Sequence, residues 1–296
     1  MKLYVKAPAK INLCLFVGPH RADGRHELVT LFESVSLADE LSVSTRAGVA
    51  TDAVRCPGLA GPNLVSGALA ALRAAGWQGP ALEVEIIKRI PLAGGMGGGS
   101  ADAAALLRAA HELHPVGEHM PLQIAAELGA DVPSQLAPGL AIGTAAGEHL
   151  ERRPPLGPHA YVVVPQAEQL STREVYAEAD RLGLARDQLG LNEALERLRL
   201  ALASPERLPE SLLVNDLQEA SLSLLPRTAE ALRAVRQSGA EHALVSGSGP
   251  TVVGLFWGEM ASERARASAA SLSEVFPGTT IALPVEADFA APRRAA

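Results

Sequence analysis

The stretch PLAGGMGGGSADAAALL, residues 91–107, places five glycines among six consecutive positions directly before an alanine-rich segment. In that segment Ala103, Leu106, Leu107 and Ala110 recur at helical spacing, which predicts a helix beginning near the glycines. Glycines at such a junction let backbone N–H groups converge, and the first helical turn adds unpaired donors and the positive end of the helix dipole. The stretch therefore predicts an anion site, most naturally for phosphate; its structural alternative is a tight strand-to-helix turn.

Spacing excludes two familiar phosphate-binding motifs. The gap from Gly94 to Gly99 fits a P-loop, but Ser100 stands where that motif requires lysine. A dinucleotide-binding fingerprint that starts at Gly95 meets Ser100 where glycine or alanine is needed. Ser100 is compatible with a helix N-cap, a phosphate donor or a Mg²⁺ ligand. Asp102 would repel a phosphate, so we expect its side chain to point away from the loop.

Short strand-like runs and helical patterns follow one another in a partly segregated order, which predicts an α+β fold. Residues 2–7 and 10–17 are predicted strands separated by a proline. Charge and proline concentrate in residues 148–160, which we interpret as a linker. The sequence therefore predicts two domains, an amino-terminal one over 1–155 and a carboxy-terminal one over 156–290.

The overall charge restricts the partners of the chain. A formal net charge of −7 and a pI near 5.7 argue against nucleic acids and anionic membranes, because both select clustered basic charge. Two cysteines are too few for a disulfide framework and lack the grouping of a zinc cage, so we expect a reducing, cytoplasmic location. No segment has the pattern of a signal peptide or a membrane span.

Three polar residues could carry chemistry on local grounds. Strand periodicity puts Lys10 and Asn12 on one face with Cys14 and Phe16. A lysine there is ordinarily a solvated edge charge, but an asparagine within a strand needs a partner for its amide. Asp131, just past a predicted helix, is either an N-cap or a base and charge partner for a lysine. The sequence alone does not show whether Asp131 and Lys10 meet.

Several segments together resemble a known family. KAPAKINL (6–13), the glycine stretch and SGSGPTVV (246–253) occur in the order and spacing of the three signature motifs of the GHMP small-molecule kinases. RADGRH (21–26), GADVP (129–133) and STREVY (171–176) extend the resemblance over essentially the whole chain. They are similar to the branch of the superfamily that acts on 4-diphosphocytidyl-2-C-methyl-D-erythritol in the non-mevalonate route of isoprenoid (terpenoid) biosynthesis.

The resemblance implies a fold and a reaction. The fold is an amino-terminal domain like ribosomal protein S5 domain 2 and a ferredoxin-like carboxy-terminal domain, with the active site between them. The reaction is an ATP-dependent phosphoryl transfer to the 2-hydroxyl of the erythritol unit. No metal is expected beyond the Mg²⁺ that ATP carries, with Ser100 as a candidate ligand. The partners are then small molecules, and the chain is expected to be a monomer or a weak homodimer.

The resemblance also assigns roles to residues. Lys10 and Asp131 are implied as the catalytic pair, with Asp131 accepting the hydroxyl proton. The residues implied to bind ATP are Pro91, Ala93, Gly94, Gly95, Met96, Gly97, Gly98, Gly99, Ser100 and Ala101. The residues implied to bind the substrate are Asn12, Arg25, His26, Asp131, Thr172, Tyr176, Gly247 and Ser248. Among these, His26 would read the cytosine edge and Tyr176 would stack on the ring.

Four positions depart from the family pattern, and two other functions stay open. Arg25 stands where the family often has tyrosine, and Ala101 where many members have serine. Ser134 and Gln135 stand where an aromatic pair is more usual. The alternatives are another GHMP kinase, for homoserine or mevalonate, and a nucleotide-binding or regulatory protein without turnover. A substrate panel separates the kinases, and ATP consumption separates an enzyme from a binding protein.

Overall fold

The computed structural model of the protein describes every residue except 60, 62, 116, 118, 205 and 296. The described residues form two β-sheets covered by helices, so the α+β prediction is confirmed. The strands of the first sheet are β1 (Lys2–His20), β2 (His26–Thr45), β3 (Ala53–Arg55), β4 (Leu82–Ile87), β5 (Leu140–Ala145), β6 (His149–Arg153) and β11 (Arg293–Arg294). Those of the second are β7 (His159–Val164), β8 (His242–Val245), β9 (Val252–Trp257) and β10 (Thr280–Ala282).

The helices are distributed along both halves of the chain. They are α1 (Leu64–Ala74), α2 (Gly98–Leu113), α3 (Met120–Leu128), α4 (Val132–Leu136), α5 (Thr172–Leu182), α6 (Gln188–Ala201), α7 (Gln218–Leu224), α8 (Thr228–Gln237) and α9 (Ala261–Ser273). Two short 3₁₀ turns cover Glu210–Leu212 and Ala287–Ala290. In the part of the chain that is described, no helix combines the length and the apolar character that crossing a bilayer requires.

The first sheet has the strand order β11-β1-β2-β4-β3, and β5 pairs with β2 and carries β6 on its other side. The long hairpin of β1 and β2 forms its centre. Helix α2 packs on this hairpin through alanines and leucines that are almost completely buried. Small alanine side chains let the helix approach the sheet closely, so the loop before α2 lies against β1.

The second sheet has the order β10-β7-β9-β8, with every neighbouring pair antiparallel. Helices precede β8, β8 and β9 form a hairpin, and α9 connects β9 to β10. This βαββαβ arrangement is the ferredoxin-like topology, as the resemblance implied. The chain passes between the sheets within residues 154–158, because residues 149–153 form β6 and β7 begins at His159. The predicted linker over 148–160 is therefore too long, and the boundary at 155 stays a prediction.

The two sheets share one hydrophobic core, in which Leu31 and Ile142 of the first sheet join Val163 and Leu255 of the second. A buried polar contact also links the sheets. Glu33 of β2 accepts hydrogen bonds from the hydroxyl of Tyr161 and from His159 Nε2, the latter at 2.8 Å. The two halves are thus joined by apolar packing and by a paired buried carboxylate, which would be costly to leave without partners.

The strand predictions need two corrections, and the second positions the site. Residues 2–20 form one continuous strand, and Pro8 coincides with a register shift instead of a break. A second shift falls between Asn12 and Cys14, where Leu13 has no partner opposite in β2. This bulge reverses the alternation of faces, so Cys14 joins the core and Leu15, not Cys14, follows Asn12 on the open face.

Candidate active site

A cavity of about 800 Å³ opens between the two halves of the protein. The glycine loop forms one wall, since Pro91, Ala93, Ser100 and every residue from Gly94 to Gly99 line it. Ala101 does not line the cavity, because its side chain is buried in the core under α2. Its implied role in ATP binding stays a prediction.

The glycine loop ends in a helix terminus that no side chain caps. The N-cap of α2 is Gly97, in the left-handed region with φ of 70°, and Ser100 lies within the first turn. The interpretation of Ser100 as the N-cap is thus wrong. Because no side chain blocks the terminus, the first N–H groups of α2 and its dipole are available to an anion in the cavity.

Close packing explains why the loop requires glycine. Gly95 has φ of 75°, and a Cβ atom there would lie 2.0 Å from the carbonyl oxygen of Ser246. A Cβ atom on Gly97 would lie 3.1 Å from Cγ of Lys10. The backbone N–H of Lys10 donates to the carbonyl of Met96 at 3.0 Å, which fixes the loop to β1. The loop is thus held between the strand that carries Lys10 and the loop between β8 and β9.

Lys10 and Asn12 lie side by side on the cavity face of β1, as the strand periodicity predicted. Nζ of Lys10 donates to Oδ1 of Asn12 at 2.5 Å, and Nδ2 of Asn12 donates to Oγ1 of Thr30 at 2.7 Å. The Thr30 hydroxyl in turn donates to the carbonyl of Cys14 at 2.7 Å. Lys10 is 5% exposed, so it is a buried, oriented cation and not a solvated edge charge. The chain of hydrogen bonds fixes the position of the ammonium group.

Asp131 reaches the same ammonium group from the opposite wall. It precedes α4, but its side chain makes no capping hydrogen bond. Instead Oδ2 of Asp131 lies 3.7 Å from Nζ of Lys10, and its side chain is about one third exposed. The fold therefore brings together the two residues whose meeting the sequence left open. The arrangement places a carboxylate that can accept a proton beside a cation that can offset negative charge.

The far end of the cavity is lined by aromatic rings. His26 is buried and stacks with Tyr176, with ring centroids 5.2 Å apart and planes inclined by 27°. Desolvation, with a smaller contribution from Asp131, raises the pKa of the Tyr176 hydroxyl, so the ring stays neutral. Arg25 lines the rim, where its Nη2 donates to Oδ2 of Asp23 at 2.8 Å. This end of the cavity therefore offers the flat ring of Tyr176 and, beside it, a ring nitrogen of His26.

The third predicted segment closes the cavity on the side of the second sheet. Gly247 and Ser248 line the cavity, and Gly247 has φ of 56° with Nζ of Lys10 3.2 Å from the position of a Cβ atom. Oγ of Ser248 lies 3.0 Å from Oγ1 of Thr172, the first residue of α5. Nδ2 of Asn215 holds the segment through the carbonyls of Val245 and Gly247 at 2.8 and 2.7 Å. The segment is a hairpin turn and a wall of the cavity at once.

Comparison with known proteins identifies the family. The family described as "GHMP kinases N terminal domain" matches residues 63–140, and "GHMP kinases C terminal" matches residues 191–273. A 4-diphosphocytidyl-2-C-methyl-D-erythritol kinase from Thermobifida fusca (strain YX) is 42% identical over 90% of this chain and 90% of its own length. The chain belongs to the 4-diphosphocytidyl-2-C-methyl-D-erythritol kinase family of GHMP kinases.

Solved structures agree with this family. A crystal structure of a 4-(cytidine 5'-diphospho)-2C-methyl-D-erythritol kinase superposes with a TM-score of 0.75 at 33% identity, covering 95% of this chain and 98% of that one. A homoserine kinase from Cytophaga hutchinsonii superposes with a TM-score of 0.68 at 18% identity, covering 99% and 96%, and shows the fold alone. The two-part GHMP kinase fold is thereby confirmed.

This GHMP kinase also contains a charged cluster under the glycine loop that the sequence analysis did not find. Lys88 donates to the carboxylates of Asp39 and Asp102, the latter at 2.6 Å, and Asp102 is buried and does not line the cavity. Burial raises the pKa of Asp102 to about 7; Lys88 opposes this shift and Asp39 adds to it. Burial lowers the pKa of Lys88, but its two carboxylate partners outweigh burial and raise it. The chain has only four lysines, and this scarcity is the one sequence signal that could have pointed to Lys88 and its cluster.

Proposed function

We propose that the protein is a kinase that, in this cavity, transfers the γ-phosphoryl group of ATP to the 2-hydroxyl of 4-diphosphocytidyl-2-C-methyl-D-erythritol. The observation that carries the proposal is the Lys10–Asp131 pair, 3.7 Å apart, between the glycine loop and the His26–Tyr176 pair in one cavity. Family membership supports ATP as the phosphoryl donor. The names of the relatives supply the substrate.

The glycine loop supports binding of the ATP phosphates through its backbone. The uncapped terminus of α2 offers N–H donors and a positive dipole end, which suit a triphosphate and do not depend on basic side chains. The glycines have no side chains that would keep the phosphates from the backbone. Lys88 Nζ lies 3.3 Å from the position of a Cβ on Gly98, but its charge is taken up by Asp39 and Asp102, so the backbone groups carry the attraction.

The donor groups present fit Mg²⁺ carried on the nucleotide. Ser100 offers a hydroxyl on the cavity wall, whereas the carboxylates of Asp39 and Asp102 are engaged by Lys88. A Mg²⁺ ion keeps much of its water and binds substrate phosphates, so one hydroxyl ligand from the protein is compatible with it. When bound, the ion neutralises charge on the phosphates. We propose Ser100 as its one ligand from the glycine loop.

The far end of the cavity suits the cytidine diphosphate part of the substrate. Tyr176 provides a face for the cytosine ring, and His26 provides a ring nitrogen to its polar edge. Thr172 and Ser248 meet at the N-terminus of α5, where the capping position makes no side-chain hydrogen bond. We assign the substrate diphosphate to this terminus for the same electrostatic reason as at α2.

The chemical step uses Asp131 and Lys10. Asp131 accepts the proton of the 2-hydroxyl as its oxygen forms a bond to the γ-phosphorus, and the bond from that phosphorus to the bridging oxygen breaks to release ADP. The Lys10 ammonium, held by Asn12, offsets the negative charge of the transferring group. We further propose that the enzyme is cytoplasmic, because both cysteines are free thiols. We also propose a domain boundary at residue 155, because that residue lies in the segment that connects the two sheets.

The test is ADP formation with a substrate panel. We expect turnover with 4-diphosphocytidyl-2-C-methyl-D-erythritol and none with homoserine or mevalonate. Asp131→Asn should lower kcat by at least about 100-fold, since it removes the proton acceptor, while the Kd for ATP is retained. Asp288→Asn, in an exposed 3₁₀ turn, is the matched control and should behave as the wild type.

Three outcomes would contradict the proposal. A preference for a free alcohol would favour another GHMP kinase activity. Binding of ATP without turnover of any panel member would favour a binding protein. An Asp131→Asn enzyme with the wild-type rate would remove Asp131 from the mechanism.

A further inference from the structure

Two histidines and a carboxylate converge at the mouth of the cavity. They come from three elements, the end of β1, the start of β2 and α5. His20, His26 and Asp180 each offer one ligand atom, a ring nitrogen or a carboxylate oxygen, and these atoms all lie within 4.8 Å of one another. Oδ1 of Asp180 lies 2.9 Å from Nε2 of His26 and 3.3 Å from Nε2 of His20. One oxygen atom is therefore shared by two imidazole rings.

Two of the three distances among these atoms, those from Asp180 to the two histidines, are close to the requirement of a small tetrahedral ion. Metal bonds of about 2.0–2.2 Å to nitrogen and oxygen put neighbouring ligand atoms of a tetrahedron about 3.3–3.6 Å apart. The His20–Asp180 distance of 3.3 Å already meets this value. The His26–Asp180 distance of 2.9 Å needs to open by only a few tenths of an ångström. Exposed side chains at His20 and Asp180 give an ion access.

The charge of the group also suits a divalent ion. Among the residues that the structure describes, Asp180 forms ion pairs with His20 and His26 alone and with no lysine or arginine. A ligand set of two neutral imidazoles and one carboxylate carries a net charge of −1, which attracts a divalent cation. Imidazole nitrogen with carboxylate oxygen is a donor set that zinc accepts readily, whereas Mg²⁺ and Ca²⁺ prefer oxygen alone.

We propose that His20, His26 and Asp180 form a binding site for a divalent transition-metal ion of the zinc type, with a fourth position open to the cavity. An ion held there occupies Nε2 of His26 and stands beside Tyr176, whose ring centroid is 5.2 Å from that of His26. Metal binding then obstructs the end of the cavity that the proposed function assigns to the cytosine ring. The site is therefore inhibitory, and this second part rests on the proposed function.

The competing explanation is that Asp180 only orients His26 by a hydrogen bond. The two explanations differ at His20, which is exposed and whose ring lies 4.0 Å from that of His26. In a metal site His20 supplies a ligand bond. In a purely orienting pair His20 has no effect on the affinity for a metal.

The binding test uses Co²⁺ as a spectroscopic probe with untagged protein in the absence of ATP. We expect the visible absorption of tetrahedral Co²⁺ to appear on titration and Zn²⁺ to displace it stoichiometrically. His20→Ala and Asp180→Asn should each weaken the affinity by at least about 10-fold, since loss of a ligand costs no less than loss of an outer partner. His149→Ala, an exposed histidine on β6, is the control and should leave it unchanged.

A wild-type titration without this absorption would refute the site, as would equal affinity in the wild type and both variants. The inhibition test is separate and uses buffered free Zn²⁺. We expect Zn²⁺ to raise the KM for the cytidylated substrate without raising that for ATP, and to lose this effect in His20→Ala. Metal binding without competition would refute the inhibitory part alone, because the Co²⁺ spectrum does not depend on catalysis.

Discussion

Gly95→Ala tests whether the glycine loop is held by contact with the loop between β8 and β9. Two effects add at this position. The first is the left-handed backbone at φ of 75°, which costs a residue with a Cβ atom about 1–2 kcal/mol. The second is the contact of 2.0 Å between the new Cβ atom and the carbonyl oxygen of Ser246. Ordinary contacts begin at 3.4 Å, so the two loops must part by 3.4 minus 2.0, or about 1.4 Å.

The expected size of the effect follows from these terms. Overpacking of this kind costs about 1–3 kcal/mol, so the total loss in the free energy of unfolding is about 2–5 kcal/mol. Gly48→Ala is the matched control, because Gly48 has φ of 69° but no atom within 4 Å of its Cβ position. The control isolates the backbone term and should lose only about 1–2 kcal/mol.

The assay is urea unfolding of both variants together with titration by a fluorescent ATP analogue. Gly95→Ala should be less stable than Gly48→Ala and should bind the nucleotide more weakly, since parting the loops displaces the backbone beside Met96. Gly48→Ala should bind as the wild type does. Equal stability of the two variants with unchanged nucleotide affinity would refute the reasoning.

Other substitutions test the remaining parts of the site. Lys10→Ala should lower kcat by at least about 100-fold in the ADP assay with ATP binding retained, because it removes the cation beside the reacting group; a small change would remove Lys10 from the step. Tyr176→Ala should raise the KM for the cytidylated substrate about 5- to 150-fold, the equivalent of about 1–3 kcal/mol of stacking; an unchanged KM would place the base elsewhere. Asp102→Asn removes a carboxyl whose pKa is raised by burial to about 7 in the folded state, against an ordinary value of 3.8. The folded wild type therefore holds a proton that the unfolded chain releases, and its stability falls relative to the variant as pH rises from about 4 to about 7 and levels off above. Urea unfolding across this range measures the difference, and a pH-independent difference would contradict the assignment.

Local patterns predicted the parts of the structure that depend on neighbouring residues. The spacing of Ala103, Leu106, Leu107 and Ala110 predicts a helix after the glycines, and the structure has it as α2. The glycine loop could be recognised in the sequence, because five glycines in six positions destabilise a chain unless their backbone freedom is used. The pairing of Lys10 with Asn12 followed from the period of a strand, which is independent of the rest of the fold.

Other features depend on contacts between distant residues and carry little local signal. Leu13 has no character that marks a bulge, so the face change after Asn12 was missed. Asp39 and Lys88 are 49 residues apart and meet only because β2 pairs with β4. The same holds for Asp180 and His26, which the fold brings to 2.9 Å across 154 residues. The sequence shows which residue types are unusual, and the fold decides which of them are neighbours.

The bulge at Leu13 makes the length of β1 matter as much as its composition. Deleting Leu13, which has no partner in β2, would remove the bulge and leave Cys14 on the core face and Leu15 on the cavity face, because Asn12 and Cys14 keep their partners. Deleting a paired residue such as Ile11 would instead shift the register by one and turn one part of the strand to the opposite face. In a deletion scan, loss of Leu13 should therefore be tolerated better than loss of its paired neighbours.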